Sequence, residues 1–236
     1  MKIYLWTEDA ENKSGYIFWK TLMGTLFPRV IVESKQNCSR LIKAVKNIKN
    51  KENLYIIAFD HSFDNPQIVR EMLWLKEECK KHSNIYELNI ISFEYLLLEF
   101  EKLILWIYAE NDEFREKRKD LINIREKLVV AIQNQIDYKE IEEIKDYIVQ
   151  RDQYNIEQIA SKLLFDLTRN TGFEVGKKKL GICWQISCCE FIKRQIDDLC
   201  GLDTMRLKLT DKMEEILEYT SLGEELEKIG LKEGIC

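Results

Sequence analysis

Residues 1–108 alternate four times between an apolar segment and an amphipathic one, and this alternation constrains the fold more than any other feature of the chain. The apolar segments are typical of strands, whereas the amphipathic segments repeat their apolar residues at helical spacing. Residues 54–59 (LYIIAF) form a continuous apolar run, as expected of a central parallel strand that is buried on both faces. The repeated strand–helix order therefore predicts an α/β fold, a parallel sheet with helices on both faces.

Capping residues and breakers set the bounds of these elements. Ser14 is the predicted N-cap of the first helix, and Pro28 follows the end of that helix. Asn65 and Pro66 are a natural N-cap and first position for the third helix, and Ser92 can cap the fourth. The predicted strands are residues 2–6, 30–32, 54–59 and 84–91, and the predicted helices are residues 14–26, 39–49, 65–81 and 93–108.

The composition changes after Tyr108. Residues 110–120 (ENDEFREKRKD) are nearly all charged, and they mark a predicted boundary between an α/β domain over residues 1–108 and a mostly α-helical C-terminal module over residues 109–236. In this second part, helical patterns cover residues 121–135, 139–150, 155–170, 184–199 and 210–219.

Composition and the absence of certain motifs exclude several classes of protein. With 45% hydrophobic residues, the 236-residue chain can bury a core, and no apolar stretch approaches the about 18 residues of a membrane span. We therefore expect a soluble cytoplasmic protein without membrane contact. The sequence lacks the glycine-rich phosphate loops of dinucleotide-binding proteins and P-loop NTPases, and the serine elbow of α/β-hydrolases. The net charge of −5 is unfavourable for generic nucleic-acid binding but leaves room for a local basic surface.

Acidic residues follow three of the predicted strands. Glu8 comes after the first strand, Asp60 and Asp64 after the third, and Glu94 after the fourth. Because ligands of open α/β sheets bind at the carboxyl ends of the strands, we expect these acids to share one edge. Gathered carboxylates repel each other unless a cation lies between them, and hard oxygen ligands suit Mg²⁺ or Mn²⁺. The set predicts a metal site that acts on phosphate, with a glutamate to transfer a proton.

Each acid taken alone also has an ordinary explanation. Glu8 can be a turn residue, Asp60 and Asp64 can be helix caps, and Glu94 can be a first-turn helix charge. The functional interpretation rests on the set as a whole. His61, in the same loop, is a candidate metal ligand or proton carrier, although a lone loop histidine is more often neither.

Three segments of the first 108 residues resemble the motifs of Toprim domains. Residues 6–9 (WTED) lead into a helix as in the first Toprim motif, and residues 58–64 (AFDHSFD) stand in the place of the second, acidic motif. Residues 91–100 (ISFEYLLLEF) are similar to the signature of RloB-like Toprim proteins, and this is the most specific match.

This resemblance implies a Toprim-like α/β domain that binds Mg²⁺ and, as in many members of the family, cleaves RNA or DNA. Bacterial members are often linked to defence against phage, beside an ATPase partner. Glu8 would be the general acid or base, Asp60 and Asp64 would bind the metal, and Glu94 would be an additional ligand. The chain departs from the family in having Asp9 where a glycine usually follows the glutamate, and in spacing Asp60 and Asp64 four residues apart instead of two. Either the metal site is a variant, or it has decayed into a non-catalytic scaffold that binds a partner protein or nucleic acid.

Four of the seven cysteines lie within 18 residues: Cys183, Cys188, Cys189 and Cys200. Four thiolates can bind Zn²⁺ tetrahedrally, and a zinc-stabilised regulatory subunit is a third hypothesis. The spacing is not that of two Cys-x-x-Cys pairs. Buried apolar thiols are the more common alternative, and a redox or disulfide role is a further one.

Two basic segments are candidate contacts for a phosphate backbone. Residues 35–51 contain six basic residues and no acid. Four of these recur every three residues on the second predicted helix: Arg40, Lys43, Lys46 and Lys49. Lys177, Lys178 and Lys179 form the second segment. A solvated helix face explains the first segment equally well. The leucine-rich helical part also predicts a homo-oligomer.

Overall fold

The fold is given by a computed structural model that describes residues 1–110, 113–189 and 200–231. Its first part has the predicted order of strands and helices. The strands are β1 Ile3–Thr7, β2 Val30–Ser34, β3 Leu54–Ala58 and β4 Ile85–Glu87, and the helices that follow them are α1 Ser14–Leu26, α2 Cys38–Lys46, α3 Pro66–Cys79 and α4 Phe93–Glu99.

The four strands form one parallel sheet in the order β2-β1-β3-β4. Successive residues of a strand point to opposite faces, so that Leu5 and Ile56 enter one core while Trp6 and Ile57 enter the other. Helices α2 and α3 pack on the face of Trp6, and α1 and α4 pack on the opposite face. The prediction of a parallel α/β sheet with helices on both faces is therefore confirmed.

The rest of the described chain is mostly helical and shares a core with the sheet. Leu5 and Phe93 lie in the same buried cluster as Leu163 and Ile216. The predicted division at residue 108 stays a prediction. The helices are α5 Leu103–Ile107, α6 Glu113–Lys117, α7 Lys119–Gln133, α8 Glu142–Arg151, α9 Ile156–Thr168, α10 Leu209–Glu218 and α11 Leu222–Lys228, with 3₁₀ helices at Tyr138–Glu140 and Ile182–Trp184 and an antiparallel pair of β5 Val175–Gly176 with β6 Lys179–Leu180.

The helix predicted over residues 93–108 is two helices, because the chain leaves helical geometry at Phe100. The buried Arg125 guanidinium of α7 donates to the Leu98 and Phe100 carbonyls at 2.7 Å each, and so satisfies the end of α4. A second buried guanidinium, that of Arg118, donates to the Leu167 and Arg169 carbonyls at 2.6 Å each. Periodicity alone did not indicate these long-range hydrogen bonds.

Other predicted bounds were wrong for local reasons. Lys13, and not Ser14, is the N-cap of α1, since a turn between Ala10 and Lys13 starts the helix one residue early. Helix α2 ends at Lys46, where the Asn47 side chain donates to the Lys43 carbonyl at 2.7 Å, so the predicted extension to residue 49 is not helical.

The helix predicted over residues 184–199 does not begin at Trp184. That residue ends a 3₁₀ helix, and its indole N–H donates to the Phe173 carbonyl at 2.8 Å. Residues 185–189 are not helical, because the Cys188 N–H turns to the Leu207 carbonyl at 2.8 Å. Residues 190–199 lie outside the described part of the chain. Within the described ranges, every helix is too short or too polar to cross a bilayer.

Candidate functional site

The carboxyl ends of β1 and β3 form an acidic cleft. The strand order makes the boundary between β1 and β3 the point at which the chain changes direction across the sheet, and this is where open α/β sheets bind ligands. Thr7 pairs with Ala58, so the residues after them leave the sheet side by side. The Glu8 carboxylate accepts a hydrogen bond from the Asp60 N–H at 2.7 Å. The fold thus joins two of the predicted site residues directly.

Glu94 reaches the same edge from the other side. The His61 N–H donates to the Ile91 carbonyl at 2.6 Å, which holds the segment after β4 against the segment after β3. The Ser92 hydroxyl then accepts the Tyr95 N–H at 3.1 Å and starts α4, with Glu94 in its first turn. Between the strand ends lies a cleft of about 10 Å³, lined by acidic groups and by apolar side chains: Thr7, Glu8, Asp9, Trp19, Ala58, Phe59, Asp60, Ile90 and Phe93.

The acids of this cleft hold their protons more tightly than free carboxyls do. Burial raises the pKa of Glu8 to about 7, against the opposing effect of the Asp60 N–H. Burial likewise raises the pKa of Glu94 to about 7, and neighbouring Asp9 and Glu8 add to the effect. The pKa of Asp60 is raised well above its ordinary value by burial and then by the charges of Glu8 and Glu94. Like charges in a partly dry site create a strong preference for a cation.

Sequence reasoning missed further acids of this cluster, among them Asp9, Glu157 and Glu71, whose charge adds to the raised pKa of Glu8. Burial raises the pKa of Asp9 to about 6, and the Asp9 carboxylate lies against the first turn of α1, where a methyl group at Gly15 would be 2.0 Å from Oδ2. Asp9 was detectable, since it directly follows Glu8 at the strand end. Glu157 belongs to the first turn of α9, and its charge raises the pKa of Asp60. No local signal could have linked Glu157 to a residue so far away in sequence.

Asp64 lies at the border of this group: burial and, further, the charge of Asp64 raise the pKa of Glu157, but the oxygens of Asp64 are engaged by other partners. Its Oδ1 accepts the Ile156 N–H at 3.2 Å, and its Oδ2 accepts the Tyr138 hydroxyl and forms an ion pair with Lys139 at 2.9 Å. Burial opposes ionisation of Asp64, but these donors outweigh it and lower the pKa. Asp64 therefore connects the loop after β3 to the helical part of the chain.

The His61 side chain is also not placed as a metal ligand of the acidic cleft. Its ring lies against Phe59 with centroids 4.4 Å apart, and its Nε2 is 3.4 Å from a carboxylate oxygen of Glu87. Burial, followed by the nearby charge of Lys76, lowers the pKa of His61 to about 4. The imidazole is therefore neutral at pH 7, and its contact with Glu87 is not an ion pair under those conditions.

The predicted basic contacts lie on two separate surfaces. Arg40, Lys43 and Lys46 are exposed on α2, and Lys49 is exposed in the segment beyond it. Within the described residues, none of these four forms an ion pair with a carboxylate. The start of α2 lies near the acids of the cleft, so burial and then the charges of Glu8 and Glu71 raise the pKa of its first residue, Cys38, to about 12. The second surface is the β5–β6 turn, with Lys177, Lys178 and Lys179 exposed.

The four clustered cysteines line one small cavity of about 10 Å³, away from the acids. In the described parts of the chain, no group of three or more His, Cys, Asp or Glu side chains is arranged to hold a metal ion as it stands. This holds for the acidic cleft and for the cysteines alike. Binding of a metal at either place would require the side chains to close around it.

The raised pKa of Glu8 predicts a specific dependence of stability on pH. Between about pH 4.5 and 7, the folded protein keeps a proton that the unfolded chain has released, so wild-type stability falls as the pH rises through this window. Because glutamine cannot ionise, we expect the free energy of unfolding of Glu8→Gln to rise relative to that of wild type by on the order of 1–3 kcal/mol as the pH increases from 4.5 to above 7. Urea unfolding of both metal-free proteins at each pH measures this difference. Because both proteins contain His61, its contribution to the pH dependence cancels in the comparison.

Glu142→Gln, at an exposed position on α8, is the matched control and is expected to show no such trend. A difference between wild type and Glu8→Gln that stayed constant across the window would mean that Glu8 is solvated like an ordinary glutamate.

Comparison of this chain with known proteins identifies no relative. No protein-family model matches the chain, and no curated protein or solved structure matches it significantly. The function is therefore inferred from the residues and from their arrangement.

Proposed function

We propose that this chain is a divalent-metal-dependent nuclease whose reaction centre is the acidic cleft. The observation that carries the proposal is a group of mutually interacting carboxyl groups, contributed by both parts of the chain, that includes Glu8, Asp9, Asp60, Glu94 and Glu157. In the described part of the chain, no lysine or arginine forms an ion pair with any of them. A bound cation would supply the missing positive charge.

The donor set fits Mg²⁺ or Mn²⁺, since all the side chains are hard oxygen ligands. Asp60 and Glu94 would hold the ion, and the ion would stabilise charge that develops on a scissile phosphate. Glu8 suits the transfer of a proton, because its pKa of about 7 lies close to neutral pH. Its carboxylate is already positioned by the Asp60 N–H at 2.7 Å.

The basic face of α2 supports a polynucleotide as the substrate. Arg40, Lys43 and Lys46 are exposed along a helix that starts beside the cleft. A phosphate backbone bound along this face would extend toward the start of α2, next to the acidic cleft. The same surface suits RNA and DNA, because contacts to phosphates carry no sequence information.

The finer assignment, a Toprim-like and RloB-like effector of phage defence, belongs to this proposal. It rests on the resemblance of residues 6–9, 58–64 and 91–100, to which the parallel sheet adds a compatible scaffold. An ATPase partner is implied in the same way, whereas self-association is proposed from the leucine-rich helical part of the chain.

A non-catalytic scaffold is the second candidate, and two observations favour it. Asp64, which the motif would use as a metal ligand, is fully engaged by Tyr138, Lys139 and Ile156. In addition, no group of side chains among the described residues is ready to hold a metal. A decayed site of this kind would bind a partner protein or nucleic acid without cleaving it.

Calorimetric titration of Mn²⁺ at about pH 8 separates the two candidates, because metal ligands must lose their protons on binding and do so more readily as the pH rises. A nuclease site is expected to bind Mn²⁺ saturably, and Asp60→Asn is expected to weaken that binding at least about tenfold. Asp146→Asn, at an exposed position on α8, is the control and should bind like wild type. Absence of saturable binding, repeated in the presence of a non-cleavable phosphorothioate oligonucleotide, would favour the scaffold.

A further inference from the structure

We propose that Cys183, Cys188, Cys189 and Cys200 form a structural Zn²⁺ site, independent of the acidic cleft. All four side chains line the same cavity of about 10 Å³, whose remaining lining residues are Phe173, Leu202, Asp203 and Arg206. This volume is close to that of a single small ion or water. Four cysteines around one such space provide the ligand set of a tetrahedral zinc site.

The backbone holds these cysteines in place from several directions. The Cys183 N–H donates to the Gly172 carbonyl at 3.0 Å, and the Cys188 N–H donates to the Leu207 carbonyl at 2.8 Å. The Cys183 sulfur packs directly on Gly172, where a methyl group would lie 2.4 Å from it. The Cys200 thiol points to the Trp106 carbonyl at 3.9 Å. Segments distant in sequence thus converge on one cavity.

A buried ammonium group beside the cavity indicates that negative charge belongs there. Lys212 is fully buried, and its Nζ donates to the Cys183 and Ile186 carbonyls at 2.9 and 3.1 Å. In the described part of the chain, Lys212 forms no ion pair with a carboxylate. The Phe173 ring, with its centroid 5.7 Å from Nζ, is a further favourable contact, and a zinc ion with four thiolates, which carries a net charge of −2, would add a compensating charge. One of the two carbonyls that bind Lys212 belongs to the proposed ligand Cys183, and the other, of Ile186, lies between Cys183 and Cys188 in sequence.

Metal binding would change the protonation of the cluster. Without metal, burial raises the pKa of the Cys183 thiol to about 11, and the neighbouring cysteines counteract the lowering effect of Lys212. On binding, four thiols release four protons and form four zinc–sulfur bonds of about 2.3 Å. The sulfur atoms must move closer together for this, because they are not arranged to hold a metal as described. No oxidant or reductant is required.

The experiment measures zinc in the full-length protein, purified without chelators and again after refolding with added Zn²⁺. We expect about one zinc per chain by elemental analysis, and release of that zinc to a colorimetric chelator only after the thiols are blocked. Cys183→Ser and Cys188→Ser are each expected to lose most of the zinc. Cys79→Ser, at a buried cysteine of the other core, is the matched control and should keep it. Fewer than about 0.1 zinc per chain after both preparations, or equal zinc in all variants, would overturn the proposal.

A second measurement covers variants that fail to fold. Titration of Co²⁺ into metal-free wild-type protein is expected to produce the intense thiolate-to-cobalt charge-transfer bands of a tetrahedral sulfur site, together with proton release. A spectrum without these bands would overturn the proposal. Asp60→Asn should retain full zinc content, so loss of nuclease function and loss of the zinc site are distinguishable.

Discussion

Asp60→Asn is expected to abolish metal-dependent cleavage without loss of stability, whereas Asp64→Asn is expected to destabilise the protein and keep its activity. Removing a charge that positions the metal should reduce the cleavage rate by at least about 10²-fold. Relief of repulsion with Glu8 and Glu94 should leave the melting temperature of Asp60→Asn unchanged or raised. Asp64→Asn weakens the hydrogen bonds from Tyr138 and Ile156, at a cost of about 1–3 kcal/mol.

Cleavage of labelled RNA and DNA oligonucleotides with Mn²⁺, measured beside thermal unfolding, checks both expectations. Asp146→Asn is again the control for charge removal at an exposed position. Full activity of Asp60→Asn would eliminate the acidic cleft as the reaction centre. Loss of activity in Asp64→Asn at an unchanged melting temperature would instead indicate that Asp64 is a metal ligand, as the resemblance to Toprim motifs implies.

Arg125→Met is expected to lower the free energy of unfolding by about 2–4 kcal/mol, the largest stability effect that we predict for one side chain. The methionine fills similar volume but leaves the Leu98 and Phe100 carbonyls without their charged donor. These carbonyls end α4, the helix that carries Glu94 in its first turn. Loosening α4 should therefore also weaken Mn²⁺ binding in the acidic cleft.

Urea unfolding followed by tryptophan fluorescence and by circular dichroism measures this effect. Arg115→Met, on the exposed helix α6, is the matched control and should change stability by less than about 0.5 kcal/mol. A single transition that shifts for both probes would show that the sheet and the helical part unfold together. An unchanged unfolding midpoint in Arg125→Met would mean that water satisfies the Leu98 and Phe100 carbonyls in place of the guanidinium, without a loss of stability.

The sequence was sufficient where a pattern is local. The apolar run at residues 54–59 identified β3, and Asn65 with Pro66 marked the start of α3 correctly. The placement of Glu8 and Asp60 at one edge followed from the general geometry of parallel sheets and needed no tertiary detail. Ser92 was also recognised as a cap, since capping depends on residues only three positions apart.

The sequence was insufficient where distant residues decide the outcome. Asp64 looked like a metal ligand because Tyr138, Lys139 and the start of α9 lie more than 70 residues away. Glu157 was overlooked for the same reason. The break at Phe100 depends on Arg125 of another helix, so the period of the leucine-rich segment could not indicate it. Propensity describes each segment alone, whereas these features arise from contacts between segments.

The contribution of Glu157 to the cleft has a consequence for protein synthesis. Glu8, Asp60 and Glu94 leave the ribosome well before α9 exists, so a partly made chain carries the sheet-edge acids without the last member of the group. The same delay applies to the partners of Asp64, which fix the loop that follows β3. The complete group of carboxylates is thus a property of the finished chain, and a fragment that ends before α9 lacks it.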